Sequence, residues 1–244
     1  RFRDKSGNDA VTSVTVTLDT QAPQGSFTLT GFLADGTPSA TLSSAASGTV
    51  TLTPGGASEY FLGDGTLLTC PGAGYTAITS TTLTNVTFPS SGVVRLCLRD
   101  AAGNVQGPLQ QTITLDAAAP SGCLFTLTGK KVNGAAAPSG LSASTSITAA
   151  VGNCSEQPTE LVLSTSTLNC AMPQVWQPFN ASQTLALPSG DGAKPVFGCV
   201  RDAARNVGTI PQASITLDTA GPSPVSAALV GSTPTNAASV TVSV

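Results

Sequence analysis

The sequence predicts an all-β chain of tandem β-sandwiches, each about 100 residues long. Three observations predict it. Apolar residues alternate at period two in short runs, and no 3.6-residue helical stripe competes with them. Clusters of Gly, Pro and Ser separate the runs, as turn chemistry requires. One signature also recurs three times: RDKSGNDAVTSVTVTLDTQAP at 3–23, RDAAGNVQGPLQQTITLDAAAP from Arg99, and RDAARNVGTIPQASITLDTAGP at 201–222. Each copy reads as a tight turn, an alternating strand and an Asp-x-x-x-Pro exit.

The spacing of the copies sets the module size. The aspartates of the LD exits are Asp19, Asp116 and Asp218, spaced 97 and 102 residues apart. Those of the RD turns are Asp4, Asp100 and Asp202, spaced 96 and 102. A period of about 100 residues is that of one immunoglobulin-like sandwich. The predicted layout is four segments. Residues 1–20 are the last two strands of an incomplete immunoglobulin-like domain, 21–118 and 119–220 are full domains, and 221–244 are the first strands of a further incomplete one.

The elements follow in order. After the turn at Asp4–Asp9, Val14, Val16 and Leu18 alternate and predict a half-buried strand. The first full domain runs through SFTLTG at 26–31, GTVTLTP at 48–54, EYFLG at 59–63, TTLTNVTF at 81–88, VVRLCLRD at 93–100 and QTITLD at 111–116. The second repeats this as LFTLTG, SITAAV, ELVLST, QTLAL, PVFGCVRD and ASITLD. The last stretch has Val225 to Val230, then Val240, Val242 and Val244, which predict the opening strands of another sandwich. Arg1 lies inside a repeat, so the natural N-terminus is expected elsewhere. Two readings fit the partial domains: a window of a longer array, or neighbouring chains that complete each other's sandwiches by strand addition.

Composition narrows the function. Charged residues are 9% of the chain, with many β-branched residues, which argues against disorder. A net charge of −3 and a pI near 4.7 offer no basic patch for nucleic acid. No run of 18 apolar residues predicts a membrane span. There is no His, so a Ser–His or Cys–His nucleophile pair is excluded. No other catalytic set is visible, and the chain is expected not to be an enzyme. The GDG runs at 63–65 and 190–192 are turns, because neither GKS nor a helix follows them.

The cysteines are Cys70, Cys97, Cys123, Cys154, Cys170 and Cys199. Their wide spacing fits no zinc pair. An even number in a Thr/Ser-rich β protein predicts disulfides and an oxidising compartment. Equivalent offsets in the two domains support Cys70–Cys97 and Cys170–Cys199. Cys123 and Cys154 then remain, and both fall at the N-terminal end of the second domain. Cys97 alternates with Arg95 and Arg99 on one strand face, Leu96 and Leu98 on the other. The charged companions predict that the cysteine face is the solvent face.

The stretch GDGAKPVFGCVRDAARNVGTIPQASITLDTAGP at 190–222 resembles the bacterial immunoglobulin-like (Big-type) repeats of long secreted and surface proteins. The resemblance covers both full domains and both fragments. The chain departs from the pattern in three ways: residues 90–92 read SSG instead of GDG, Arg205 replaces the turn glycine, and the cysteines are not a general feature of the repeats. The resemblance implies tandem extracellular bacterial modules, often in adhesins, filaments or stalks.

One cofactor, calcium, is consistent with the residues, though none is required. In an immunoglobulin-like topology the LD exit of one domain meets the RD turn of the next. Asp19 is then expected near Glu59, Asp100 and Asn104, and Asp116 near Glu156, Asp202 and Asn206. Carboxylates with carbonyls and water suit calcium, which takes six to eight hard oxygen ligands. The plainer reading is turn chemistry, in which Asp and Asn bond their own backbone and Gly103 supplies a positive φ. Trp176, with Phe179, is the one candidate for a ligand platform, a core or rim anchor being the alternative. Asn85, Asn153 and Asn180 lie in N-x-S/T sequons. The functional expectation is a disulfide-stapled stalk or filament whose partners are neighbouring modules and, by strand complementation, identical chains. An adhesive module gripping glycan or a partner cell-surface protein is the alternative.

Overall fold

The computed structural model describes residues 1–172, 174–222, 228–230, 239 and 241–243, the last two strands by backbone alone. The described residues are all-β, without a helix. None of them forms a helix long and apolar enough to cross a membrane. Val225, Val240 and Val244 lie outside the described residues; Ala228–Val230 pairs antiparallel with Thr241–Ser243.

The chain divides into two units, and the division is not a single cut. The first unit is Arg1–Ala119 together with Arg201–Val207; the second is Pro120–Val200 and Gly208–Val244. The RD turn of the second set of strands thus packs with the first unit.

In the first unit, besides four two-residue strands, the strands are β1 (Ser26–Phe32), β2 (Leu42–Ser43), β3 (Ser47–Thr53), β4 (Glu59–Asp64), β5 (Thr82–Thr87), β6 (Val93–Arg99), β7 (Val105–Thr112) and β8 (Thr114–Leu115). One sheet holds β1, β3 and β5; another holds β7, β6 and β4. Alternation decides which residues face inward. Phe27 and Leu29 on β1, Val50 and Leu52 on β3, and Val94, Leu96 and Leu98 on β6 form one core with Phe88 and Ile113. Each such side chain contributes about 1.5–3 kcal/mol on burial. Gly48 is the exception that packing demands, since a Cβ there would stand 2.5 Å from the Phe88 ring.

The second unit repeats the plan. Besides the two-residue Gln177–Pro178, and with the end residues Arg201 and Val207 counted in the first unit, its strands are β9 (Leu124–Thr128), β10 (Leu141–Ser142), β11 (Ser146–Gly152), β12 (Glu160–Ser164), β13 (Ser182–Ala186), β14 (Gly192–Arg201) and β15 (Val207–Leu217). One sheet runs β9–β11–β13 and the other β10–β15–β14–β12. Two buried clusters fill it, one around Val151, Leu161 and Val200, the other around Ile147, Val196 and Ile215. Phe125 packs against both.

Two strand expectations need correction. QTITLD does not form one strand from residue 111. The strand already begins at Val105, pairs with β6 through Thr112, and gives way at Ile113 to β8, which pairs in parallel with β2. Turning inward at that change of partner, Ile113 is 1% exposed. Val14, Val16 and Leu18 are not in a strand and are 84–85% exposed. A strand needs a hydrogen-bonded neighbour, and among the described residues none lies beside them. The paired part of that stretch is the ribbon joining Phe2–Arg3 to Asp9–Ala10.

Candidate functional site

The RD signature builds the same clamp three times. In the turn after β6, Asp100 Oδ1 accepts from the backbone N–H of Ala102 at 3.0 Å and Asn104 at 2.9 Å. Its Oδ2 accepts from Asn104 Nδ2 at 3.0 Å. Gly103 closes the turn at φ 94°. In the turn after β14, Asp202 accepts from Asn206 N and from Asn206 Nδ2, both at 2.9 Å. Here Arg205 takes the positive φ, at 64°, a region that disfavours any residue with a Cβ. In the ribbon, Asp4 accepts from Ser6 N and Asn8 N at 2.9 Å and from Asn8 Nδ2 at 2.8 Å. The Asn104 side-chain amide, together with backbone N–H groups, holds the Asp100 carboxyl below its ordinary value, and Asn8 does the same for Asp4.

Two of the clamps also grip an LD exit. Asn104 Nδ2 donates to the backbone oxygen of Asp19 at 3.2 Å. Asn206 Nδ2 donates to that of Asp116 at 2.9 Å. The second grip is set in a cradle that sequence reasoning missed. Ala34 N–H donates to Ala204 O at 2.9 Å, and Ser44 Oγ donates to Asn206 Oδ1 at 2.6 Å. Arg205 donates to Thr37 Oγ1 at 2.8 Å and to Asp35, while Arg201 stands 3.9 Å from Asp35. Asp202, Ala204 and Asn206 are buried as a result. The cradle residues carry no motif, and the counterparts of Asp35, Thr37 and Ser44 in the second unit are Asn133, Ala135 and Ala143.

Burial pushes the Asp35 carboxyl up, but hydrogen bonds from Arg205 and Thr37 outweigh it and hold it at about 2, below its ordinary 3.8. A depressed pKa stabilises the fold above the unfolded value and loses that contribution as pH falls toward the folded one. The Asp35 contribution is therefore present above about pH 4 and is lost between about pH 4 and pH 2. Thermal melts across this range are expected to fall less steeply for Asp35→Asn than for the parent chain. Equal slopes would show that Asp35 is not held by Arg205 in solution.

The eight residues proposed for calcium fall as follows. Asp19, Glu59, Asp100, Asn104, Asp116, Asp202 and Asn206 are in the first unit; Glu156 is in the second, half-buried between β11 and β12. Glu59 accepts from Arg99 Nε at 2.7 Å, and the Arg99 guanidinium lies 4.3 Å from the Tyr75 ring centre. Asp19 Oδ1 accepts from Gln21 N at 3.0 Å. Asp116 and Asp202 place carboxylate oxygens within 4.8 Å of each other. Asn206 Nδ2 donates both to Asp202 Oδ2 and to the Asp116 carbonyl oxygen, each at 2.9 Å.

The structure joins Cys70 to Cys97, Cys123 to Cys154 and Cys170 to Cys199. Cys97 and Cys199 are fully buried, so the cysteine face is not a solvent face. The reason is the loop between β4 and β5. It folds over the outer face of β6, where Arg95 donates to Leu67 O at 2.9 Å and Arg99 to Gly72 O at 3.5 Å. The arginines there report loop carbonyls, not water. Of the two aromatics in the divergent loop, Phe179 packs against the second unit's core and Trp176 is half-buried. The three sequon asparagines are exposed.

Comparison of the chain with protein-family models and with curated protein sequences finds no match.

Proposed function

We propose that this chain is a segment of an extracellular bacterial repeat protein, a stalk or filament of tandem immunoglobulin-like modules. The observation that carries the reading is the recurrence of one clamp, Asp100–Asn104 and Asp202–Asn206, each gripping the backbone of a preceding LD exit. A turn that serves only its own loop has no need to reach the exit of the previous repeat. The three disulfides add loop closures in both units and suit an oxidising exterior. Tandem modules with short Pro-containing exits resist bending, which is what a stalk requires. The partners in this reading are neighbouring modules of the same chain and, at partial domains, strands of identical chains. It assigns no catalysis and requires no cofactor. Immunogold labelling of intact source cells with antibody to this chain tests it. Label standing off the cell envelope is expected; label confined to the cell interior would overturn the proposal.

A further inference from the structure

The cradle that receives the Arg201–Asn206 turn is built a second time, in the second unit, where none of this chain's described RD turns fills it. In the first unit, Leu33 N donates to Thr37 O at 2.9 Å and Gly36 N to Leu33 O at 2.8 Å; in the second, Lys131 N donates to Ala135 O at 2.7 Å and Gly134 N to Lys131 O at 2.9 Å. Phe32 N donates to Ser43 Oγ at 3.1 Å, as Lys130 N does to Ser142 Oγ at 3.1 Å. Ser43 and Ser142 are both buried, and each hydroxyl donates two residues onward, to Ala45 O at 2.8 Å and Ser144 O at 2.7 Å. Asp116 N donates to Ser43 O at 2.9 Å, and Asp218 N to Ser142 O at 2.8 Å. The backbone bonds and the buried serine that shape the filled cradle have their counterparts, while Thr37 and Ser44 are replaced by Ala135 and Ala143. The second cradle is an open cavity of about 270 Å³ lined by Lys130, Lys131, Val132, Pro138, Leu141 and Asp218. Its Val132 is 93% exposed.

We propose that this surface docks the R-D-x-x-x-N turn of a further repeat, one carrying a carboxylate where this chain has Arg205. The inference rests on the tandem-module reading above. The backbone donor and acceptor that the turn needs are in place. Val132 N–H stands where Ala34 N–H meets Ala204 O, and the Asp218 carbonyl stands where the Asp116 carbonyl meets Asn206 Nδ2. The charge is reversed. Asp35, which pairs with Arg205, is replaced by Asn133, and Lys130 and Lys131 stand in place of Phe32 and Leu33. Like charges facing across an interface are disfavoured and opposite charges favoured. The cradle therefore selects against an arginine-bearing turn such as Arg201–Asn206 and for an acidic one. Module order would then be written in the fifth residue of each turn.

The test extends the chain. Residues 1–220 are followed directly by a second copy of 119–220, in which the counterpart of Arg205 is either kept or changed by Arg205→Glu. Amide hydrogen exchange is read at Ala34 and Val132, in these chains and in the 244-residue chain. The expected result is slow exchange at Ala34 in all three. At Val132, exchange should slow about tenfold with the glutamate-bearing copy, less with the arginine-bearing copy, and become fast again when the appended Asn206 counterpart is changed to alanine. A protected Ala34 with Val132 unchanged by the added repeat overturns this proposal alone. Fast exchange at Ala34 overturns the tandem-module reading and this proposal with it. Equal slowing by the arginine and glutamate copies removes the charge selectivity.

Discussion

Replacing Cys70 and Cys97 together by alanine is expected to lower the unfolding free energy of the first unit by about 3.5 kcal/mol. The bond closes a loop of sequence separation 27, and in the chain-entropy account that closure alone gives this magnitude. The position strengthens the expectation. Cys97 is fully buried on β6, between Leu96 and Leu98 of the core. The loop it anchors carries Tyr75, whose ring lies 6.1 Å from that of Phe61 and under the Arg99 guanidinium. Beyond the disulfide, hydrogen bonds from Arg95 and Arg99 to Leu67 and Gly72 fasten this loop to β6. The bond from Arg95 is part-buried and that from Arg99 is exposed, so the exposed one contributes little by itself. Releasing the loop therefore bares the outer face of β6 as well as lengthening the unfolded chain's reach. Changing both cysteines avoids leaving a lone thiol. Urea unfolding of parent and variant measures the difference. A loss below about 1 kcal/mol would mean that the loop holds itself in place, and the staple would then have no mechanical role.

The division between what the sequence showed and what it hid follows from where information is periodic. Phe27, Leu29, Val50 and Leu52 alternate, and all four are buried as the alternation requires. The signature from Arg99 to Pro120 located the clamps because Asp and Asn at that spacing have local chemistry of their own. Flanking arginines point to water at the Cys97 face, but a carbonyl from a covering loop satisfies an arginine equally well. The true start of β7 was hidden by Gly107–Pro108, which breaks the period just where the strand continues. Hardest to see was the cradle of Asp35, Thr37 and Ser44. Those residues look like any polar loop. Their role appears only when a turn from about 165 residues away meets them, and long-range contacts of that kind leave no local mark.

A graded series of alanine substitutions separates docking from turn chemistry. Asn8, Asn104 and Asn206 make the same bonds to their own aspartates, so a purely local role predicts equal losses. Their surroundings differ. Asn8 is exposed, Asn104 is half-buried with a 3.2 Å bond to Asp19 O, and Asn206 is 6% exposed with three partners. Asn206→Ala strands Asp202 Oδ2, the Asp116 carbonyl and the Ser44 hydroxyl together in a buried place. An unmet buried polar group costs about 1–3 kcal/mol. The serine hydroxyl can turn to another acceptor, which leaves an expected loss of about 3 kcal/mol for Asn206→Ala. Asn104→Ala, where water reaches the freed groups, is expected to lose about 1 kcal/mol, and Asn8→Ala about 0.5 kcal/mol or less. Urea unfolding of the three variants gives the order directly. A loss at Asn206 no larger than that at Asn8 would show that the clamp serves its own turn alone, and the repeats would then be linked by their connecting chain and nothing more.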